Sequence, residues 1–92
     1  MVIYVGETVT LKCIFLDEDG DEASSATSVS LTIVAPDGTK EEGLTPTLLD
    51  GSTATYYYNK VVNQSGIWKH IWYGTVGGKS VVGMKKFRVY NP

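Results

Sequence analysis

The sequence has one cysteine, one arginine and three prolines among 92 residues, and these scarcities exclude several classes of protein. Cys13 has no second thiol within the chain, so packing alone must hold the domain together. That fits a reducing cytosol, or a virus assembled inside one, and does not fit a secreted domain stapled by disulfides. No apolar run is long enough to span a bilayer, and no stretch carries the periodicity of an amphipathic helix.

Charge of either sign is also modest. Eight Lys and Arg residues stand against ten Asp and Glu residues, which gives a net charge of -2. Proteins that bind a phosphate backbone carry clustered cations, whereas Lys85, Lys86 and Arg88 form only a short basic edge. We therefore expect neither a nucleic acid nor a membrane as partner. Met1 leads directly into residues 2–5 (VIYV) without a basic region or a long apolar region, so no signal peptide is expected either.

Apolar and polar residues alternate with period two through most of the chain. Turn signals rich in Gly, Pro and Asp separate these segments about every eight to twelve residues. The pattern predicts one all-β domain over residues 1–92, a sandwich of about seven antiparallel strands. The expected strands are residues 2–5, 9–15, 29–33, an irregular edge at 40–49, 53–62, 67–76 and 79–90.

The phase of each strand predicts the core. Val82 and Met84 share one phase of the last strand, whereas Phe87 and Val89 share the other, so we predict a bulge at residues 83–86. The expected core residues are Val9, Leu11, Cys13, Phe15, Leu31, Ile33, Trp68, His70, Phe87 and Val89.

Two segments resemble immunoglobulin domains. Residues 6–13 (GETVTLKC) look like the second strand of those domains, and residues 65–70 (SGIWKH) look like the sixth. Trp68 then stands where the corner tyrosine sits, and His70 stands where the second cysteine sits. The resemblance implies an immunoglobulin-like sandwich with no disulfide, in which Cys13 faces His70. The tryptophan that these domains carry on the third strand is missing.

A longer series of motifs is similar to the small immunoglobulin-like proteins of tailed bacteriophages. In chain order the motifs are GETVTL at 6–11, DEDG at 17–20, VSLTI at 29–33, PDGT at 36–39, GIWKHIW at 66–72 and Gly-Gly at 77–78. This resemblance covers most of the chain and implies a structural or accessory role in the head, neck or tail of a virion. It implies no catalytic residue.

Cys13 and His70 are the one pair that suggests catalysis or metal binding. A nucleophile and base would also need a third group to orient them and an open cleft, and two ligands are too few for structural zinc. We therefore interpret both residues as core, and expect no enzyme activity, no cofactor and no metal. The acidic loop at residues 17–22 (DEDGDE) lacks the spacing of the best-known calcium loop, so a solvated loop is the preferred interpretation and calcium stays open.

The aromatic residues offer two interpretations. Trp68 and Trp72 lie on one face of a strand, where they could stack on sugars or fill the core, and their phase favours the core. Residues 56–58 are three consecutive tyrosines, so at least one ring must face outward. Tyr57, Tyr73 and Tyr90 are the candidate interaction face, because tyrosine is common at interfaces. The alternative is that these residues reflect only the propensity of tyrosine for strands.

The leading hypothesis is a non-catalytic structural or attachment module of a phage particle, located in the virion. Its partners would be other virion proteins or a second copy of the chain, reached through a sheet face or through the edges at residues 2–5 and 40–49. The alternative is a carbohydrate-binding adhesion module that recognises cell-surface glycans through exposed aromatic rings.

Overall fold

The computed structural model describes residues 2–92, which form two β-sheets and contain no helix. The predicted all-β class, with no disulfide, is confirmed. The strands are β1 Ile3–Tyr4, β2 Thr8–Ile14, β3 Thr27–Val34, β4 Lys40–Leu44, β5 Thr47–Leu48, β6 Thr55–Val61, β7 Gly66–Val76 and β8 Lys79–Tyr90.

The strands divide into a large and a small sheet. The large sheet has the order β1-β8-β7-β3-β4, and the small sheet has the order β2-β6-β5. All pairs are antiparallel except β1 with β8, which are parallel. The segment expected as one irregular edge is two strands, since β4 joins the large sheet and β5 the small one. The chain changes sheets at Thr45 and Pro46, where proline has no N–H to continue a ladder.

The β7–β8 hairpin is the longest regular unit. Gly77 and Gly78 form its turn with φ of 56° and 79°, which suits a two-residue turn of the type that follows strand twist. Pairing runs from Gly66 opposite Val89 to Val76 opposite Lys79 without a register shift. The predicted bulge at residues 83–86 is therefore wrong. The shifts lie instead in β3, one of them around Ser28, whose φ is 53°.

The unbroken register explains the two apolar phases of β8. Val82 and Met84 point away from the core and are exposed, whereas Phe87 and Val89 point inward. Both faces of this strand are apolar, so its alternation alone could not identify the buried one. The predicted bulge resulted from treating both phases as core.

The core lies between the two sheets. Of the ten residues expected there, seven are buried: Leu11, Phe15, Leu31, Ile33, Trp68, His70 and Val89. Val9, Cys13 and Phe87 are half-buried and pack against this cluster. Trp72 is fully buried beside them. A Cβ on Gly74 would lie 2.7 Å from the ring of Phe15, so packing at this point requires glycine.

Candidate contact surfaces

His70 has a structural partner within the core. Its Nδ1 accepts a hydrogen bond of 2.8 Å from Nε1 of Trp72, so the ring is neutral with its proton on Nε2. Burial, with a smaller contribution from the Lys85 charge, lowers the pKa of His70 to about 4. If the His70 ring were protonated, its Nδ1 would carry a hydrogen and point a donor at the N–H donor of Trp72. His70 therefore serves as the acceptor that a buried indole requires.

Cys13 lies on the opposite sheet and is half-buried. Burial raises the pKa of its thiol, and the Lys85 charge lowers it by less. No hydrogen bond joins Cys13 to His70 within residues 2–92, although the charge of Lys85 acts on both. A thiol with a raised pKa is a weak nucleophile at neutral pH.

The acidic loop is organised by its own backbone. Asp17 Oδ1 accepts hydrogen bonds from the N–H groups of Asp19 and Asp21 at 2.9 and 3.1 Å. Glu22 leaves the loop, and its Oε2 accepts hydrogen bonds from Ala54 N at 2.8 Å, Thr55 Oγ1 at 2.7 Å and Thr53 N at 3.2 Å. These bonds, that from Ala54 first, lower the pKa of Glu22. Residues 2–92 contain no group of three His, Cys, Asp or Glu side chains placed to hold a metal ion.

The three tyrosines of the candidate interaction face lie on opposite sides of the molecule. Tyr57 is on the outer face of the small sheet, because Tyr56 and Tyr58 on either side of it pack against the core. Tyr73 and Tyr90 are on the outer face of the large sheet. They cannot form one contact face with Tyr57, which corrects the expectation. The reason is that β6 and the β7–β8 hairpin belong to different sheets.

Tyr57 lines a shallow depression of about 550 Å³ on the small sheet. Thr10 and Asn59 also line it, and Thr10 Oγ1 donates a hydrogen bond of 2.7 Å to Asn59 Oδ1. The remaining lining residues are Lys12, Thr47, Leu48, Leu49 and Asp50.

Apolar side chains cluster on the outside of the large sheet. Tyr73 lies opposite Val82 and Ile71 lies opposite Met84 on the β7–β8 hairpin. Val82 is 66% exposed, Met84 55% and Tyr73 38%. We call Ile71, Tyr73, Val82 and Met84 the outer patch. Four adjacent apolar side chains on a solvent-facing sheet need a reason, since scattered exposed residues are normal but contiguous patches mark contact sites.

A cleft opens between β2 and β8 on one side of the sandwich. It has a volume of about 350 Å³, and Trp72 lies at its floor. We call it the lateral cleft, and its other lining residues are Cys13, Ile14, Leu16, Gly83, Met84 and Lys85. Ile14 and Leu16 are each 52% exposed beside it. The one hydrogen bond across it within the described chain runs from Lys85 Nζ to the Lys12 carbonyl, at 3.2 Å.

The turn of the β7–β8 hairpin could have predicted both the outer patch and the lateral cleft, although the alternation within β8 could not. A two-residue turn at Gly77 and Gly78 pairs Val76 with Lys79, and counting back from that pair places Trp72 opposite Gly83. If Trp72 is core, the odd-numbered residues of β8 face inward and Val82 and Met84 face out. The turn therefore determines which phase is buried.

No family model matches the chain, and no curated protein or solved structure is detectably similar to it. No helix within the described residues is long and apolar enough to cross a membrane.

Proposed function

We propose that the chain is an immunoglobulin-like sandwich that serves as a non-catalytic structural or attachment module of a phage particle. The outer patch would bind another virion protein. The strand order supports the fold: β2, β6 and β5 correspond to strands B, E and D of immunoglobulin domains. In the large sheet β3, β7 and β8 correspond to C, F and G, with β4 as an additional neighbour of C.

The observation that carries the proposed function is the outer patch. Val82 and Met84 are more than half exposed, and they lie next to Tyr73 and Ile71 on the most regular hairpin of the molecule. A rigid hairpin loses little conformational entropy on docking, and tyrosine adds contact area at low rotamer cost. Cys13 with its raised thiol pKa and His70 bonded to Trp72 both have structural roles, in keeping with a module that performs no covalent chemistry.

The phage setting rests on the ordered motifs from GETVTL at residues 6–11 to Gly-Gly at 77–78. A domain that folds without a disulfide also suits a particle assembled in a reducing cytosol.

The test is incorporation into virions. A phage lacking this gene would be complemented with the wild-type chain or with a Val82→Ser, Met84→Ser double variant, and the protein content of purified particles measured by mass spectrometry. We expect the double variant to be depleted by about thirtyfold, since two apolar contacts worth about 1 kcal/mol each sum to about 2 kcal/mol.

The matched control is Leu48→Ser with Val61→Ser, an exposed apolar pair on the small sheet. It should enter particles normally, and circular dichroism should show all variants folded. Absence of the wild-type chain from particles would contradict the phage assignment. Equal incorporation of both double variants would contradict the role of the outer patch.

Glycan binding is the second candidate, and the depression around Tyr57 favours it. An aromatic ring bordered by Asn59, Thr10 and Asp50 offers a stacking surface with hydrogen-bonding groups beside it. Trp72 is buried and cannot contribute a stacking surface. Binding on a glycan array that is lost in Tyr57→Ala and kept in Tyr73→Ala would support this function. No binding by the wild-type chain would dismiss it.

A further inference from the structure

We propose that the free edge of β8 binds an extended acidic segment of a partner protein as an added β-strand, with one of its apolar side chains entering the lateral cleft above Gly83. The site uses the free backbone edge of β8 and the cleft on its inner side, whereas the outer patch uses side chains on the outer face of the same hairpin, and Met84 lines both. The test measures peptide binding and does not depend on the outer patch binding anything.

The edge of β8 is open over most of its length. The neighbouring strand β1 pairs only with Val89 and Tyr90, at the end of β8. Within residues 2–92 no strand pairs with the edge of β8 opposite β7 from Lys79 to Phe87. A strand of this length with unpaired backbone groups is a template for another strand, and β1 already uses its last two residues in that way.

The hairpin register identifies which backbone groups are free. In a two-residue hairpin the flanking pair, here Val76 and Lys79, is hydrogen-bonded, and every second pair after it is bonded too. The odd-numbered residues of β8 therefore direct their backbone N–H and C=O groups toward β7. The even-numbered residues direct theirs away from β7, to the free edge of the sheet, and we call these backbone groups outward. The Tyr90 carbonyl follows this rule, since it accepts a hydrogen bond of 3.0 Å from Val5 N of the segment after β1. The outward groups left without a strand belong to Ser80, Val82, Met84 and Lys86.

Gly83 makes a notch in the wall of the cleft. It lies on the inward phase opposite Trp72, and a Cβ built on it would meet nothing within 4 Å. Its φ is not positive, so the backbone itself does not require glycine. The cleft beside it exposes Ile14 and Leu16, which are apolar. An added strand on β8 would bring alternate side chains over this notch, where an apolar one would pack beside the exposed Ile14 and Leu16.

The charge of the edge selects the occupant. Every charged residue of β8 is basic: Lys79, Lys85, Lys86 and Arg88. Lys79 is already paired with Glu18 at 2.6 Å, whereas Lys85 and Lys86 have no carboxylate partner within the described chain. Carboxylates on the incoming strand would therefore meet unpaired cations along its path, and like charges directly opposite on neighbouring strands are unfavourable.

The same charges disfavour a second copy of this chain. Opposed residues of an antiparallel pair are either both hydrogen-bonded or both not, so a two-fold axis between two β8 edges must pass through a residue. An axis at Val82 places Lys79 of each copy opposite Lys85 of the other, and an axis at Lys85 places the two Lys85 side chains opposite each other. In every register the two edges bring only basic charges together, whereas an acidic partner strand brings carboxylates.

The experiment uses the full chain and a fluorescein-labelled probe of alternating Glu and Val. About nine residues suffice, since a strand spans roughly 3.3 Å per residue along the free edge. Fluorescence anisotropy should show saturable binding that weakens as NaCl is raised. A matched peptide with Lys in place of Glu should bind at least about tenfold more weakly. The acidic peptide N-methylated at alternate residues, on the edge that faces β8, should not bind.

Single substitutions locate the strand. Val82→Pro removes an outward N–H and should weaken binding by at least about tenfold. Val82→Thr keeps that N–H and a branched side chain and should bind like wild type. On β2, the other free edge of the cleft, Phe15 N donates to the Ala54 carbonyl of the segment before β6, so the even-numbered residues direct their N–H groups to the free edge. Thr10→Pro removes one of these N–H groups and should also bind like wild type. Gly83→Val fills the notch and should weaken binding while the chain stays folded.

Four results would overturn the proposal. They are equal binding of the acidic and basic peptides, binding that survives Val82→Pro, binding that Thr10→Pro abolishes, and a dimer in sedimentation velocity that Val82→Pro dissociates. The third would place the strand on β2, and the fourth would make a second copy the occupant. None of these measurements involves virion incorporation, so failure of this proposal does not contradict the proposed role of the outer patch in virions.

Discussion

The two lateral sides of the sandwich are built differently. On one side β4 is short and carries charges of both signs, and Gly43 has a φ of 68° that breaks its regularity. An ion pair between Glu41 of β4 and Lys60 of β6 ties the two sheets together there. On the other side β8 is long and regular with charges of one sign, and the lateral cleft separates it from β2.

The difference shows which edge the fold protects. Short length, mixed charge and irregular backbone are the features by which natural sheets avoid pairing with other chains, and β4 has all three. From Lys79 to Phe87, β8 has none of these three features. Its lysines are its only protection, and they repel another copy of the chain but not an acidic strand. The side at β4, which we call the closed side, therefore contributes to stability. The side at β8, which we call the open side, is the one that we propose for a partner.

The largest expected effect tests the hydrogen-bond directions on β8. Val81→Pro removes an N–H that is bonded to β7 and should lower the free energy of unfolding by about 3 kcal/mol. Val82→Pro, one residue further, removes an outward N–H and should cost about 1 kcal/mol or less. Urea denaturation followed by tryptophan fluorescence measures both. Equal losses would mean that the outer edge is not free.

A second prediction concerns pH at the open side, where Lys85 lies near His70. The pKa of His70 is about 4 in the folded chain against 6.5 ordinarily. The unfolded chain therefore binds a proton between these values where the folded chain does not. Stability should be full above about pH 6.5 and fall as pH drops toward 4, by up to about 3 kcal/mol.

His70→Gln is the control for this prediction, because glutamine retains an acceptor for the indole of Trp72 and does not titrate. Urea midpoints of the two proteins at pH 7.5 and 4.5 should converge as the pH falls. Parallel pH profiles would show that His70 does not control the acid sensitivity. The comparison cancels the carboxylates, such as Glu22 and Asp37, whose pKa values are also lowered.

Two glycines of the β7–β8 hairpin should respond in opposite directions. Gly74→Ala places a Cβ 2.7 Å from Phe15 and should destabilise the chain by about 2 kcal/mol. Gly83→Val enters open space at the cleft and should stabilise it by about 1 kcal/mol, since valine suits a strand better than glycine. Thermal unfolding distinguishes them. Destabilisation by Gly83→Val would mean that the notch is filled in solution.

The smallest effect is expected on the closed side. Glu41→Gln breaks the ion pair with Lys60, whose two side chains are only partly shielded from solvent, and should cost about 0.5 kcal/mol at low salt. The loss should shrink as NaCl is added, because salt screens partly exposed charges. A loss of several kcal/mol that salt does not change would show that the pair is effectively buried.

The sequence predicted much of the fold from local patterns. Alternation on β7 placed Trp68 and His70 inward, and Gly77 with Gly78 marked the hairpin. It failed where both faces of a strand are apolar, as at Val82 and Met84, because alternation then has no polar side to identify. It also failed at Tyr57, since no local pattern tells which of two sheets a strand joins.

What the sequence determined by itself is therefore the all-β class, most strand bounds, the free state of Cys13 and most of the core, because these follow from alternation, turn residues and the number of cysteines. Only the tertiary structure decided that β4 and β5 part into two sheets, that the tyrosines face opposite ways and that β8 keeps an open edge above Gly83. These features depend on pairings between strands far apart in the chain. Such pairings are determined by how the whole core packs.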